Sequence, residues 1–242
     1  MAKPKLIVFA SGTRNGGGSG FENLVVASRN GPSLASARDN SLQRSELDAD
    51  IVAVVSNHEH GGVRERADRL GIPFIHFEPH SYSNVLKNIR IRYREIVETS
   101  GAEWVALSGW LKLVSGLDPA RTFNIHPALL SQLGGRFGGP NMYGQNVHET
   151  VKAAFDAGEI TESGLTMHFV TDEYDRGPAF FEFRVPLKKG MSSDEIAKAV
   201  NAAEHEWQPK ITNMVVHREI RWDGKDPESL IVPEGYKYLP AK

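Results

Sequence analysis

Cysteine is absent from this 242-residue chain, so disulfides, Cys-ligated zinc and a thiol nucleophile are excluded. An excess of charge is also missing. Lys and Arg number 28 against 30 Asp and Glu, a formal net charge of -2, which gives no ground for expecting a nucleic-acid partner. Long apolar runs are lacking as well. No stretch approaches the roughly twenty apolar residues of a membrane span. The opening "MAKPKLIVFASG" is too short an apolar run for a secretory signal, so neither a membrane partner nor secretion is expected, and the cytoplasm is the default. Several catalytic signatures are also absent: H-E-x-x-H, G-x-S-x-G, and both common nucleotide-binding glycine fingerprints.

What is present suits a single globular domain over 1–242, with 40% hydrophobic and 24% charged residues. Leu6–Ala10, Ile51–Val55, Phe74–Phe77, Trp104–Leu107 and Phe123–His126 are short apolar runs that predict strands. Between them, "FENLVVASR", Val63–Leu70 and Ser83–Thr99 carry helical spacing. This alternation predicts βαβ units and a Rossmann-like, largely parallel twisted sheet with helices on both faces. Ligands in such sheets gather at the carboxyl ends of the strands. Those ends are polar or flexible here: Ser11-Gly12, Ser56-Asn57, Ser108-Gly109, Asn124 and His126.

The texture changes after Pro127. Residues 131–146, "SQLGGRFGGPNMYGQN", form a glycine-rich loop of a length that is usually functional or mobile. A helix over Val147–Ala157 follows, then strands over Gly164–Val170 and Ala179–Leu187 separated by the turn "TDEYDRGP". Ser192 to Glu195 offers a cap for a helix reaching about Val216, with a kink expected at Pro209. Asn30–Asp48 is polar and weakly patterned, which predicts an exposed excursion.

Three stretches could carry chemistry. In "FNIHPALL" an extended backbone puts Asn124 and His126 on one face at a strand end. A buried pair satisfied by its neighbours is the plain alternative. The loop "SGTRNGGGSG" after the first strand offers consecutive backbone N–H groups and a helix start, a cradle for phosphate or simply a flexible link. The turn "HFVTDEYDRGP" carries Asp175. A carboxylate beside His126 would favour a protonated imidazole able to stabilise developing negative charge on oxygen, with Asn124 as a neutral donor. A metal site built on His58 and His60 remains a weaker option.

Together these segments resemble the folate-dependent formyltransferases. The resemblance runs from Leu6 to about Met214. It rests on "FNIHPALL", "VHETV" and "GLTMHFVTDEYDRGP", with "VVSN", "SGWLKLVS" and Glu204-His205 in support. It implies transfer of a formyl group from the co-substrate 10-formyltetrahydrofolate to the amine of glycinamide ribonucleotide in purine biosynthesis, without a metal. Asn124, His126 and Asp175 fall on the family's catalytic trio. Gly18, Ser19 and Gly20 fall near its substrate-phosphate loop, and Glu204 on the acid that holds the ribose hydroxyls. Leu111, Lys112, Leu113 and Val114 fall on the segment whose backbone binds the pterin; Thr166 and His168 match positions lining the same site.

On that basis 1–126 is expected to be a phosphate-binding half and 127–242 to supply the folate-site loops. The sequence departs from the pattern in its longer glycine loop, in Ser131 where proline is frequent, in the expanded 131–146 loop, and in an arginine for which only Lys87 and Arg90 are candidates. Hydrolysis of the formyl group (a deformylase) and transfer to another amine stay open, as does a homodimer. A deformylase would be expected to carry a preceding regulatory domain, and here the first strand begins at Leu6.

Overall fold

The structure is a computed structural model that describes residues 2–14, 16–29, 47–79 and 86–240. The expected excursion at Asn30–Asp48 falls almost wholly outside the described residues. So do the start of the expected Ser83–Thr99 helix and the side chain of Lys87.

The chain falls into two compact units, Met1–Trp110 with Trp207–Glu219, and Leu111–Glu206 with Ile220–Lys242. In the first unit, β1 (Lys5–Phe9), β2 (Asp50–Ser56), β3 (Phe74–His76) and β4 (Trp104–Ser108) lie in the order β3-β2-β1-β4. Every pairing among them is parallel. The connections are α1 (Ser19–Arg29), α2 (Gly62–Leu70) and α3 (Leu86–Ser100). The expected α/β architecture is present. Leu6, Ile7, Val8 and Phe9 have no solvent exposure at all, which is why β1 reads as an unbroken apolar run rather than an alternating one. Tyr93, one turn of the α3 apolar stripe, closes over Phe77 with ring centroids 4.9 Å apart and over Phe9 at 5.9 Å.

The second unit contains β5 (Thr122–His126), α4 (Gln145–Asp156), β6 (Glu162–Phe169) and β7 (Ala179–Pro186). β6 pairs antiparallel with both β5 and β7. Its core stacks Phe169 on Phe180 at 4.9 Å and on Trp222 at 5.7 Å. Helix α5 (Ser193–Val216) passes through Pro209 and is capped reciprocally at Ser192. Ser192 Oγ accepts the Glu195 N–H at 3.2 Å, and the Glu195 carboxylate accepts the Ser192 N–H at 2.8 Å. Among the described residues no helix is long and apolar enough to cross a membrane.

Candidate active site

β5 and β6 align Asn124 opposite His168 and His126 opposite Thr166, so four polar side chains sit in two adjacent cross-strand rows. The turn between β6 and β7 returns Asp175 to the same place. Gly177 makes that return tight: a Cβ there would lie 1.8 Å from the Phe169 carbonyl oxygen. Asp175 itself adopts φ +51°, a left-handed conformation uncommon outside glycine, which Asp tolerates better than most residues.

Three side chains surround one oxygen. Asp175 Oδ1 lies 3.4 Å from His168 Nε2, 3.5 Å from Asn124 Nδ2 and 3.8 Å from His126 Nδ1. Its other oxygen accepts the Gly139 N–H at 2.9 Å. His126 Nε2 donates to the Phe137 carbonyl at 2.6 Å, and His168 Nδ1 donates to the Phe169 carbonyl at 2.8 Å. In the neutral ring this leaves the lone pair of His126 on Nδ1. Nε2 of His168 also lies 3.1 Å from Asn124 Nδ2.

The charge state of His126 corrects the sequence reading. Asp175 does favour the protonated imidazole, but burial is the larger influence, with the ring only 4% exposed, and its pKa falls below the ordinary value. His168 opposes protonation further. His126 therefore rests neutral near pH 7, with a lone pair on Nδ1 facing an anion. Burial also works against the Asp175 charge. The hydrogen bond with His168, the field of His126 and the Gly139 N–H outweigh it and hold the carboxyl down to about 2. Asp175 is therefore ionised throughout the neutral range.

In the first unit the glycine loop folds back on itself. Thr13 and Gly16 exchange backbone hydrogen bonds, Thr13 N–H to Gly16 O at 2.8 Å and the return at 3.4 Å, forming a small side turn. Gly17 then comes back onto Gly12, whose Cα would be 2.6 Å from any Cβ at Gly17. Gly18-Ser19-Gly20 then leads into α1, where the first N–H groups have no intrahelical partner. Gly18 needs its φ of +80° for this. Gly20 is glycine for another reason: a Cβ would stand 2.3 Å from Ser108 Oγ and 3.1 Å from Gln208 Oε1. Glu22, in the first turn of α1, is held by Arg66 Nε at 2.8 Å and Arg69 Nη2 at 2.7 Å.

In the second unit Glu204 is half-buried on α5, and burial pushes its carboxyl up to about 7 despite a 3.3 Å hydrogen bond from Asn201. Leu111 to Val114 has irregular backbone; Leu111 and Lys112 are half-buried, Leu113 is exposed and Val114 is buried. The Tyr174 hydroxyl is hydrogen-bonded to the Leu113 backbone, which ties this segment to the Asp175 turn. His168 is placed inside the Asn124–Asp175 cluster, and Thr166 has its hydroxyl engaged by the backbone at Ala128 and Leu130.

Sequence reasoning missed the Phe137 carbonyl and Gly139 amide, which hold His126 and Asp175, and Glu182 and His148. His148 is buried with Nδ1 lacking a hydrogen-bond partner among the described residues, and desolvation lowers its pKa to about 4. The one available signal was Glu182, an acid inside the apolar run "AFFEF". Among the described residues no group of three or more His, Cys, Asp or Glu is arranged to hold a metal ion.

The arrangement offers a base, an anion and an amide donor at one point, suited to acyl-type transfer. A chloroplastic phosphoribosylglycinamide formyltransferase of Arabidopsis thaliana is 30% identical over 229 residues, covering 91% of this chain and 68% of its own length. The phosphoribosylglycinamide formyltransferase of Escherichia coli K12 is 29% identical over 231 residues, covering 88% of this chain and 97% of its own. Glycinamide ribonucleotide transformylase 1 from Symbiobacterium toebii shares the fold, with a TM-score of 0.73 at 22% identity over 96% of this chain and 95% of that one. Residues 22–212, which include Asn124, His126 and Asp175, match the family model described as "Formyl transferase", and the chain belongs to that family.

Proposed function

We propose that the chain transfers a formyl group from 10-formyltetrahydrofolate to the amine of glycinamide ribonucleotide, a step of purine biosynthesis that goes with a cytoplasmic setting. The observation that carries this reading is the convergence of Asn124, His126 and His168 on Asp175 Oδ1 within 3.8 Å. The amine nitrogen attacks the formyl carbon, its C=O π bond opens, and a tetrahedral oxyanion forms. Nδ1 of neutral His126 is the proton acceptor for the ammonium that results. The imidazolium so made is stabilised by ionised Asp175 and by its Nε2–H bond to Phe137. Asn124 is the donor for the oxyanion. Collapse breaks the bond to the folate nitrogen, which leaves with the proton that His126 took from the amine.

Gly18, Ser19 and Gly20 are proposed to hold the phosphate through backbone N–H groups at the start of α1. Glu204 is proposed to hold the ribose hydroxyls. The backbone of Leu111, Lys112, Leu113 and Val114 is proposed to hold the pterin, whose flat ring the buried Val114 side chain suits. Small molecules are the only partners this reading needs.

The test is a formyl-transfer assay offering glycinamide ribonucleotide, other primary amines, and water alone. Tetrahydrofolate release that depends on glycinamide ribonucleotide supports the proposal. Equal release with water assigns the chain to hydrolysis, and a preference for a different amine moves the substrate.

A further inference from the structure

Glu182 lies in the middle of β7 with phenylalanine on either side, and it is 7% exposed. A buried carboxylate is costly unless donors converge on it. Here they do. Oε1 accepts the Ser131 N–H at 3.0 Å and faces the Thr166 hydroxyl at 3.1 Å, while Oε2 accepts the Ser131 hydroxyl at 2.6 Å. Thr166 Oγ1 in turn accepts the Leu130 N–H at 3.0 Å and lies 2.7 Å from the Ala128 carbonyl oxygen. His126, Thr166 and Glu182 occupy one cross-strand row of β5, β6 and β7. The chain that leaves β5 is therefore held at Ala128, Leu130 and Ser131 by two side chains from the next strands.

What begins at Ser131 ends on the catalytic groups. After the turn at Gln132–Gly135 the chain reaches Phe137, whose carbonyl accepts from His126, and Gly139, whose N–H holds Asp175. The stretch between them has little freedom. A Cβ at Gly138 would lie 2.4 Å from Leu130 Cδ2 and 3.2 Å from Asp175 Cβ. Displacing Ser131 or Leu130 thus displaces both partners of the reacting pair.

We propose that Glu182 is a positioning residue for formyl transfer. By fixing Ser131 and Thr166, it keeps the 131–139 segment where Phe137 orients His126 and Gly139 orients Asp175. The rate consequence rests on the formyl-transfer reading; the orientation of the imidazole does not.

Three variants test this, with kcat, both KM values and the NMR titration of the His126 ring, assigned against His126→Asn. The titratable groups facing that ring are Asp175, His168 and His148. Releasing the segment admits water to a ring whose pKa burial holds down, so in Glu182→Ala the titration moves up towards the ordinary imidazole value. An angstrom-scale misplacement can cost roughly 100-fold in rate, so kcat per folded molecule falls at least about 10-fold. KM for both substrates stays within about 3-fold, because the lost interaction acts in the transition state.

Glu182→Gln restores both readouts. Its amide oxygen can accept from Ser131 N–H and its NH2 can donate to the Ser131 hydroxyl, a rescue that separates donor geometry from charge. Ser131→Ala shifts both readouts in the same direction but less, and decides the matter if Glu182→Ala fails to fold. An unmoved His126 titration, or an unchanged kcat per folded molecule, in the folded variants overturns the proposal. Should the wild type transfer no formyl group, the functional reading fails while the His126 titration still decides this one.

Discussion

Replacing Glu204 by glutamine separates binding from stability. Burial raises its carboxyl from 4.5 to about 7 in the folded chain. The folded state therefore holds a proton that the unfolded state releases, and the contribution to stability is fully present below pH 4.5 and lost as pH rises through 7. At roughly 1.4 kcal/mol per pKa unit the loss has a ceiling of about 3 kcal/mol by pH 8. Glutamine imitates the protonated acid, keeps an oxygen for the Asn201 amide and cannot ionise. Glu204→Gln should match the wild type in thermal unfolding at pH 4.5 and exceed it at pH 8. At roughly 2–4 °C per kcal/mol for a chain of this size, that ceiling sets the largest gain in Tm at about 6–12 °C. The lowered pKa of His126 acts in the opposite sense but is common to both proteins and cancels in the difference. The same variant should bind glycinamide ribonucleotide more weakly, since an amide is a poorer acceptor for ribose hydroxyls. Equal Tm differences at pH 4.5 and pH 8 would refute the buried-acid reasoning.

His126→Ala should lower formyl transfer by roughly 10²–10⁴ with the fold intact by circular dichroism, as the loss of a general base does. Asp175→Asn removes the charge that supports protonated His126, so the imidazole should titrate lower still and kcat should fall while both substrates bind; unimpaired transfer would remove Asp175 from the mechanism. Gly20→Ala should destabilise the first unit through its clash with Ser108 Oγ, and adding Ser108→Ala should recover part of the loss in urea unfolding. Gly18→Ala, strained at φ +80° and crowded by Val63 Cγ2 at 2.9 Å, should weaken glycinamide ribonucleotide binding and leave folate binding near wild type by calorimetry.

Much of the frame was readable because the physics is local. Leu6–Phe9 shows apolar residues at every position because both faces of β1 are buried, and Ser192–Glu195 carries its cap in four letters. Asn124 and His126 stood out as polar residues at an apolar strand end. Their partnership with Asp175 became legible through the family resemblance, since only the β6–β7 return brings residue 175 back to residue 124. The sign of the His126 shift was not legible. A sequence shows which charge can stand near an imidazole but not how much solvent the surrounding chain removes, and here removal dominates. Phe137 and Gly139 act through backbone atoms that every residue possesses, so no side-chain pattern could announce them. Gly20 looked like part of an anion cradle, yet what excludes a side chain there is Ser108, far away in sequence.

The most direct test of the central claim is a single turnover, with enzyme in excess over 10-formyltetrahydrofolate, in which tetrahydrofolate and formylated amine are measured in the same samples. Formation of both in equal amounts and at one rate is predicted, only when glycinamide ribonucleotide is present, and slowed together in His126→Ala and Asp175→Asn. Tetrahydrofolate released at the same rate without the amine, or transfer unaffected by either substitution, would contradict the assignment of Asn124, His126 and Asp175 to formyl transfer.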